Sequence, residues 1–195
     1  MWKQLRLCFV TAAVACGGQT GNKPEPSAAT TAREPATDLD SADSVEGKHY
    51  LEALVAAIDS AERIVVTEHS SEYDGDDEKA REALRAEPVF YATKELSQAQ
   101  RAAFRATIAK LDPAIPDAFA ACIFEPHHTV TFFNANQQPS EMLICFECGD
   151  VRWEGTSSTA PESLIGGLGR LISSVGLPTH RDWRALAEKR SKNER

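Results

Sequence analysis

Cys122, His127, His128, Cys145 and Cys148 lie close together in the chain, and no other stretch concentrates as much potential chemistry. Four arrangements suit these residue types. Thiolate and imidazole are ligands for a tetrahedral zinc ion, and Cys-x-x-Cys reaches a metal from one tight turn. The five residues are therefore a candidate Cys₃His-type metal site with zinc as its cofactor. A redox role needs a thiol activated by a helix N-terminus after the first cysteine. Here Gly149–Trp153 reads as turn and strand. A Cys/His nucleophile pair needs an exposed thiol and an orienting carboxylate, such as Glu125 or Glu147. The structural alternative is a cystine staple, with Cys145–Cys148 as the bridge and His127-His128 starting a strand as an ordinary surface-and-core pair.

The positions of these residues depend on the elements around them. Thr129–Phe133 and Met142–Phe146 read as strands joined by a turn around Pro139, and Val151–Glu154 reads as a third. If the first two form a hairpin, their far ends bring His127 and His128 close to Cys148, with Cys122 five residues upstream of His127. Upstream, Tyr50, Leu51, Leu54, Val55 and Ile58 have helical spacing. Arg63–His69 (RIVVTEH) reads as a strand, Asp77–Ala86 as a short helix and Pro88–Thr93 as a strand. Ser97 and Gln100 form a capping box that opens a helix to Lys110, stopped by Pro113 and Pro116. Leu164, Ile165, Leu168, Leu171, Ile172 and Val175 mark a helix over Pro161–Val175, closed by Gly176. Gly166, Gly167 and Gly169 inside it suggest close packing; no strand-glycine-helix order or lysine supports a phosphate loop. Asp182, with Thr179, caps a last helix containing Trp183 and Leu186.

The order α-β-(α)-β-α-β-β-β-α-α indicates an α+β fold: a small antiparallel sheet with helices packed mainly on one face. The loop Ser70–Glu78 carries Glu72, Asp74, Asp76, Asp77 and Glu78. Its spacing does not match an EF-hand, and it reads as a solvated acidic turn around Asp74-Gly75. His49, His69 and His180 read as ordinary histidines.

The chain has 195 residues, a formal net charge of −8, 42% hydrophobic and 26% charged residues. That suits one globular domain with appendages. The acidic balance argues against a nucleic-acid partner, and only Arg181–Arg195 is locally basic. No apolar run reaches the ~18 residues of a membrane-spanning helix. Residues 1–15 combine Lys3 and Arg6 with a short apolar stretch from Leu7 to Ala15, the pattern of an export signal. Residues 17–47 are rich in Gly, Pro, Ala, Ser and Thr and hold almost no large apolar side chains, so they read as a disordered tether. Such a tether spans about 30 Å on average. The globular domain is then 48–190, followed by a basic tail, 191–195.

The run Ala13-Val14-Ala15-Cys16-Gly17-Gly18 resembles the lipobox of bacterial lipoproteins. That resemblance covers about the first twenty residues. It implies cleavage before Cys16, a diacylglycerol thioether and an acylated amino terminus on Cys16, and a lipid bilayer as partner. Gly17, where an Asp would retain the protein at the inner membrane of enteric bacteria, implies the outer membrane. Removing residues 1–15 takes away Lys3 and Arg6 and no acid, so the charge moves from −8 to −10. Acyl chains, at about 0.8 kcal/mol per buried methylene, would therefore supply the anchoring. Cys145-Phe-Glu-Cys148-Gly149 is similar to a zinc-ribbon knuckle, whereas Cys122-x₄-His127-His128 is not a second one. CIFEPHH and ICFECG also resemble segments of small exported bacterial proteins that carry no assigned function. The reading at this point is an envelope lipoprotein with a non-catalytic binding or structural domain; the alternative is a metal-binding or thiol-active domain built on the five-residue cluster.

Overall fold

Two apolar rows and a third that turns polar run across the strands of one sheet and set the architecture. The computed structural model describes residues 39–117, 121–135 and 138–193. Residues 1–15, Cys16 and most of the 16–47 tether lie outside the described residues, as do the last two residues of the tail. Within them are helix α1 (Leu39–Ser60), strand β1 (Arg63–His69), a 3-10 turn (Glu72–Asp74), α2 (Glu78–Ala86), β2 (Phe90–Glu95) and α3 (Gln98–Ile108). The second half holds β3 (His128–Phe133), β4 (Ser140–Cys145), β5 (Asp150–Trp153), α4 (Ser163–Ser174) and α5 (Trp183–Asn193). The sheet is antiparallel throughout, in the order β2-β1-β3-β4-β5. This is the α+β fold read from the sequence. No helix among the described residues is long and apolar enough to cross a membrane.

Register explains the core. Side chains alternate across a sheet, so Ile64 and Phe132 share one row, and Val66, Val130, Met142 and Trp153 share the next. These rows pack against Leu54 and Ile58 of α1, Phe104 and Ile108 of α3, and Leu164, Leu168 and Ile172 of α4. The third row is Glu68, His128, Ile144 and Val151. It stays on the core face, but its β1 and β3 members are polar. The change from apolar to polar along this face places the site described below.

Two local features refine the sequence reading. The capping box forms as expected: Ser97 Oγ accepts the Gln100 N–H at 3.2 Å and Gln100 Oε1 accepts the Ser97 N–H at 2.9 Å. The first helix instead begins at Leu39, inside the segment read as tether. Gly47 lies within that helix against the Pro113 carbonyl, where a Cβ would sit 1.9 Å from the oxygen. The glycine that reads as the end of a linker is thus a point of close backbone approach. Gly167 serves α4 similarly, facing Leu111 and Ile108 of the α3 end.

Candidate functional site

The polar end of the core face gathers side chains from distant parts of the chain. Glu68 is fully buried and accepts two hydrogen bonds from Arg181, Nε–Oε1 at 2.7 Å and Nη2–Oε2 at 3.2 Å. This fork geometry matches a carboxylate to a guanidinium. Its row neighbour His128 is also fully buried; Nε2 lies 3.0 Å from the Pro178 carbonyl. A carbonyl can only accept, so His128 carries its proton on Nε2, and its Nδ1 has no hydrogen-bond partner among the described residues. The ring meets Phe146 and Trp183 edge-on.

His127 points elsewhere but is buried too. Its Nε2 donates to Asp74 Oδ1 at 3.1 Å, and its ring stacks on Trp183 with centroids 4.4 Å apart and planes 6° apart. Asp74 Oδ2 accepts the Ser71 N–H at 2.8 Å, and Ser71 and Asp74 cap the 3-10 turn. His69 completes the cluster: Nδ1 donates to the Ser70 carbonyl and Nε2 accepts from Thr129 Oγ1, both at 2.9 Å. Asp74 is therefore a buried partner of His127 and not the centre of a solvated turn. Nor is either adjacent histidine a surface residue. Asp182 caps α5 by accepting the Ala185 N–H, which sets Trp183 at the start of that helix, between the two histidines.

The cysteines divide differently from either sequence reading. Cys122 is bonded to Cys148, with Cα atoms 6.0 Å apart, so the bridge is not Cys145–Cys148. Cys145 is a buried free thiol, and its Sγ accepts the Cys148 N–H at 3.3 Å. Strand alternation puts Cys145 on the face opposite Ile144 and buries it, whereas Cys148 sits in the following turn and meets Cys122. That turn ends at Gly149, whose φ of 66° favours glycine. The five proposed zinc ligands thus do not converge. Two sulfurs are joined to each other, His128 lies on the core face, and His127 is hydrogen-bonded to Asp74. Among the described residues no group of three or more His, Cys, Asp and Glu side chains is arranged to hold a metal ion. The hairpin does bring Cys122, Cys148 and His127 to one cleft of about 440 Å³, which Arg181 and Trp183 also line.

Burial pushes the His128 imidazole down to about 4, against the raising effect of the Pro178 carbonyl; nearby His69, His127 and Arg181 add to the lowering. Burial also lowers His69. Both rings are thus neutral in the fold at pH 7. His128 has an ordinary value of 6.5, so its stabilising effect is complete above that pH and is lost as pH falls toward 4. At about 1.4 kcal/mol per unit, this site alone costs the fold on the order of 3 kcal/mol over that window. Chemical denaturation between pH 7 and pH 4 is expected to show this loss, and His128→Gln, which keeps a donor for Pro178, should flatten it. An unchanged slope in the variant would contradict the assignment.

A second concavity lies along the sheet edge. Among the described residues β5 pairs only with β4, and its other side borders a groove of about 1450 Å³ lined by Tyr50, Phe124, Asp150–Glu154 and the Ser158–Ile165 wall. Arg152 lies over the Phe124 ring at 4.0 Å, and Trp153 Nε1 donates to Ser140 Oγ at 2.8 Å. The disulfide ties the Phe124 segment to the β4–β5 turn, so it fixes one wall of this groove and one of the smaller cleft. No protein-family model, curated protein or solved structure matches this chain.

Proposed function

We propose that the chain is an exported protein held on the bacterial cell envelope, at the outer membrane, by lipid on Cys16, and that its domain is a non-catalytic binding module acting through the groove beside β5. The groove carries the binding reading: it is large enough for a ligand of several residues, and aromatic and charged side chains line it together. The buried histidines have another role in this reading. Asp74, Trp183 and Pro178 hold their rings in place, and they fasten α5 to the end of the sheet. The Cys122–Cys148 bridge supports export, since such bonds persist in oxidising compartments.

The anchor is tested by fractionation. The wild-type chain is expected in the membrane fraction, released by detergent and not by salt. Cys16→Ser is expected as soluble, secreted or unprocessed protein. An unchanged membrane fraction for Cys16→Ser would sink the anchor.

A further inference from the structure

We infer that the groove beside β5 binds an extended basic peptide, which adds to the sheet as a sixth strand. The inference rests on the binding-module reading above and names the partner. Three observations carry it. First, β5 is an edge of the sheet among the described residues. The Val151 N–H donates to the Asp150 carboxylate at 2.7 Å. In an antiparallel ladder alternate residues turn outward, so Val151 and Trp153 direct their peptide groups toward the groove. An open edge of this kind is a template for another strand.

Second, Tyr50 lines the groove with only 3% of its surface exposed, and its hydroxyl has no hydrogen-bond partner among the described residues. A buried hydroxyl without a partner carries a desolvation penalty. A peptide group entering the groove floor would remove it. Third, the charge is one-sided. Glu141, Asp150, Glu154 and Glu162 line the groove and are exposed, against Arg152 alone. Arg152 is already engaged with Phe124. Such a rim attracts cationic side chains and repels anionic ones. The lysines of a bound strand would face carboxylates, including the Asp150 group freed when Val151 pairs with the peptide.

The test uses the full chain in a non-ionic detergent and fluorescence anisotropy of labelled hexapeptides. An alternating lysine–valine peptide is expected to bind, its glutamate–valine counterpart at least tenfold more weakly. A lysine–valine peptide interrupted by proline, which lacks a ladder N–H, should also lose at least tenfold. The double variant Glu141→Lys/Glu154→Lys should reverse the charge preference. Tyr50→Phe should weaken binding about fivefold while leaving the melting temperature unchanged or higher, because it deletes an unpaired hydroxyl; a tyrosine with a purely structural role would not separate the two readouts. If the proline-interrupted peptide binds as tightly as its parent, strand addition is overturned and the groove remains a binding surface. If no peptide of either charge binds, the inference and the groove reading fall together. A concentration-dependent dimer that Val151→Pro abolishes would assign the edge to a second copy and overturn the inference.

Discussion

Replacing Arg181 with methionine is expected to destabilise the domain by about 3–4 kcal/mol, a fall of roughly 10 °C in melting temperature. The reason is asymmetry of exposure. The Glu68 side chain is fully buried, whereas 38% of the Arg181 side chain reaches solvent. Removing the guanidinium leaves a buried carboxylate on the core face, beside His128, without the two hydrogen bonds that hold it. Removing the carboxylate has a smaller effect, because Arg181 can turn its head group into water while its stem stays packed. Glu68→Leu is therefore expected to cost less than half as much as Arg181→Met. The double variant Glu68→Leu/Arg181→Leu should return to within about 1 kcal/mol of the parent, since an apolar pair of similar volume often replaces a buried ion pair without loss. Urea denaturation of the four proteins decides it. Equal effects of the two single changes, or an Arg181→Met effect below ~1 kcal/mol, would show that the pair does not hold the sheet end closed. The same variant loosens the residue just before α5, so Trp183 should lose its fixed stacking on His127. Near-ultraviolet circular dichroism would report this.

The contrast between Glu68 and its row neighbours shows what the sequence could convey. Ile64, Val66, Val130, Phe132, Met142 and Ile144 alternate with other residues, and period-two patterning is local, so the strands were readable. The α4 stripe and the Ser97–Gln100 capping box are local as well. Glu68 continues the same alternation, but nothing within a few residues announces that a carboxylate belongs on the core face. Its partner is Arg181, 113 positions away. His127 and Asp74 are 53 apart, and His128 and Pro178 are 50 apart. Such pairings depend on how strands and helices pack, which periodicity does not encode. One local signal did exist. Ser71 and Asp74 have capping-box spacing, and that pattern fixes the carboxylate in a turn where it can meet His127.

Two other differences have the same origin. Gly47 and its neighbours have the composition of a linker, yet α1 runs through them, and the Pro113 segment comes close enough that only a glycine fits at position 47. The Cys-x-x-Cys spacing favours pairing within the motif, but Cys145 ends a strand and is buried on the face opposite Ile144, while Cys148 lies in a turn. Spacing alone could not distinguish that from a knuckle, because both use a tight turn closed by Gly149.

Removing the Cys122–Cys148 bridge is expected to destabilise the domain by about 3.5 kcal/mol on chain-entropy grounds, for cysteines 26 positions apart. Thermal melts of the Cys122→Ser/Cys148→Ser variant, or of the wild type under reductant, should show a melting temperature lower by roughly 7–14 °C. Cys145→Ser offers the contrast. It breaks no bridge, and reductant should lower its melting temperature as it does that of the wild type. Thiol counting under denaturing, non-reducing conditions should find a free thiol at Cys145 but none at Cys122 or Cys148. Recovery of a Cys145–Cys148 peptide after proteolysis would reject this connectivity. The effect should also be local. The bridge holds the Phe124 segment against the β4–β5 turn, so its loss frees one wall of the groove while β1, β3 and their helices stay packed. Hydrogen exchange is therefore expected to rise first at Ile123–His127 and Asp150–Arg152, and least at Ile64–Val66 and Val130–Phe132, which lie beneath α1, α3 and α4. Uniform acceleration across both sets would mean that the bridge supports the whole core and not the rim of the groove.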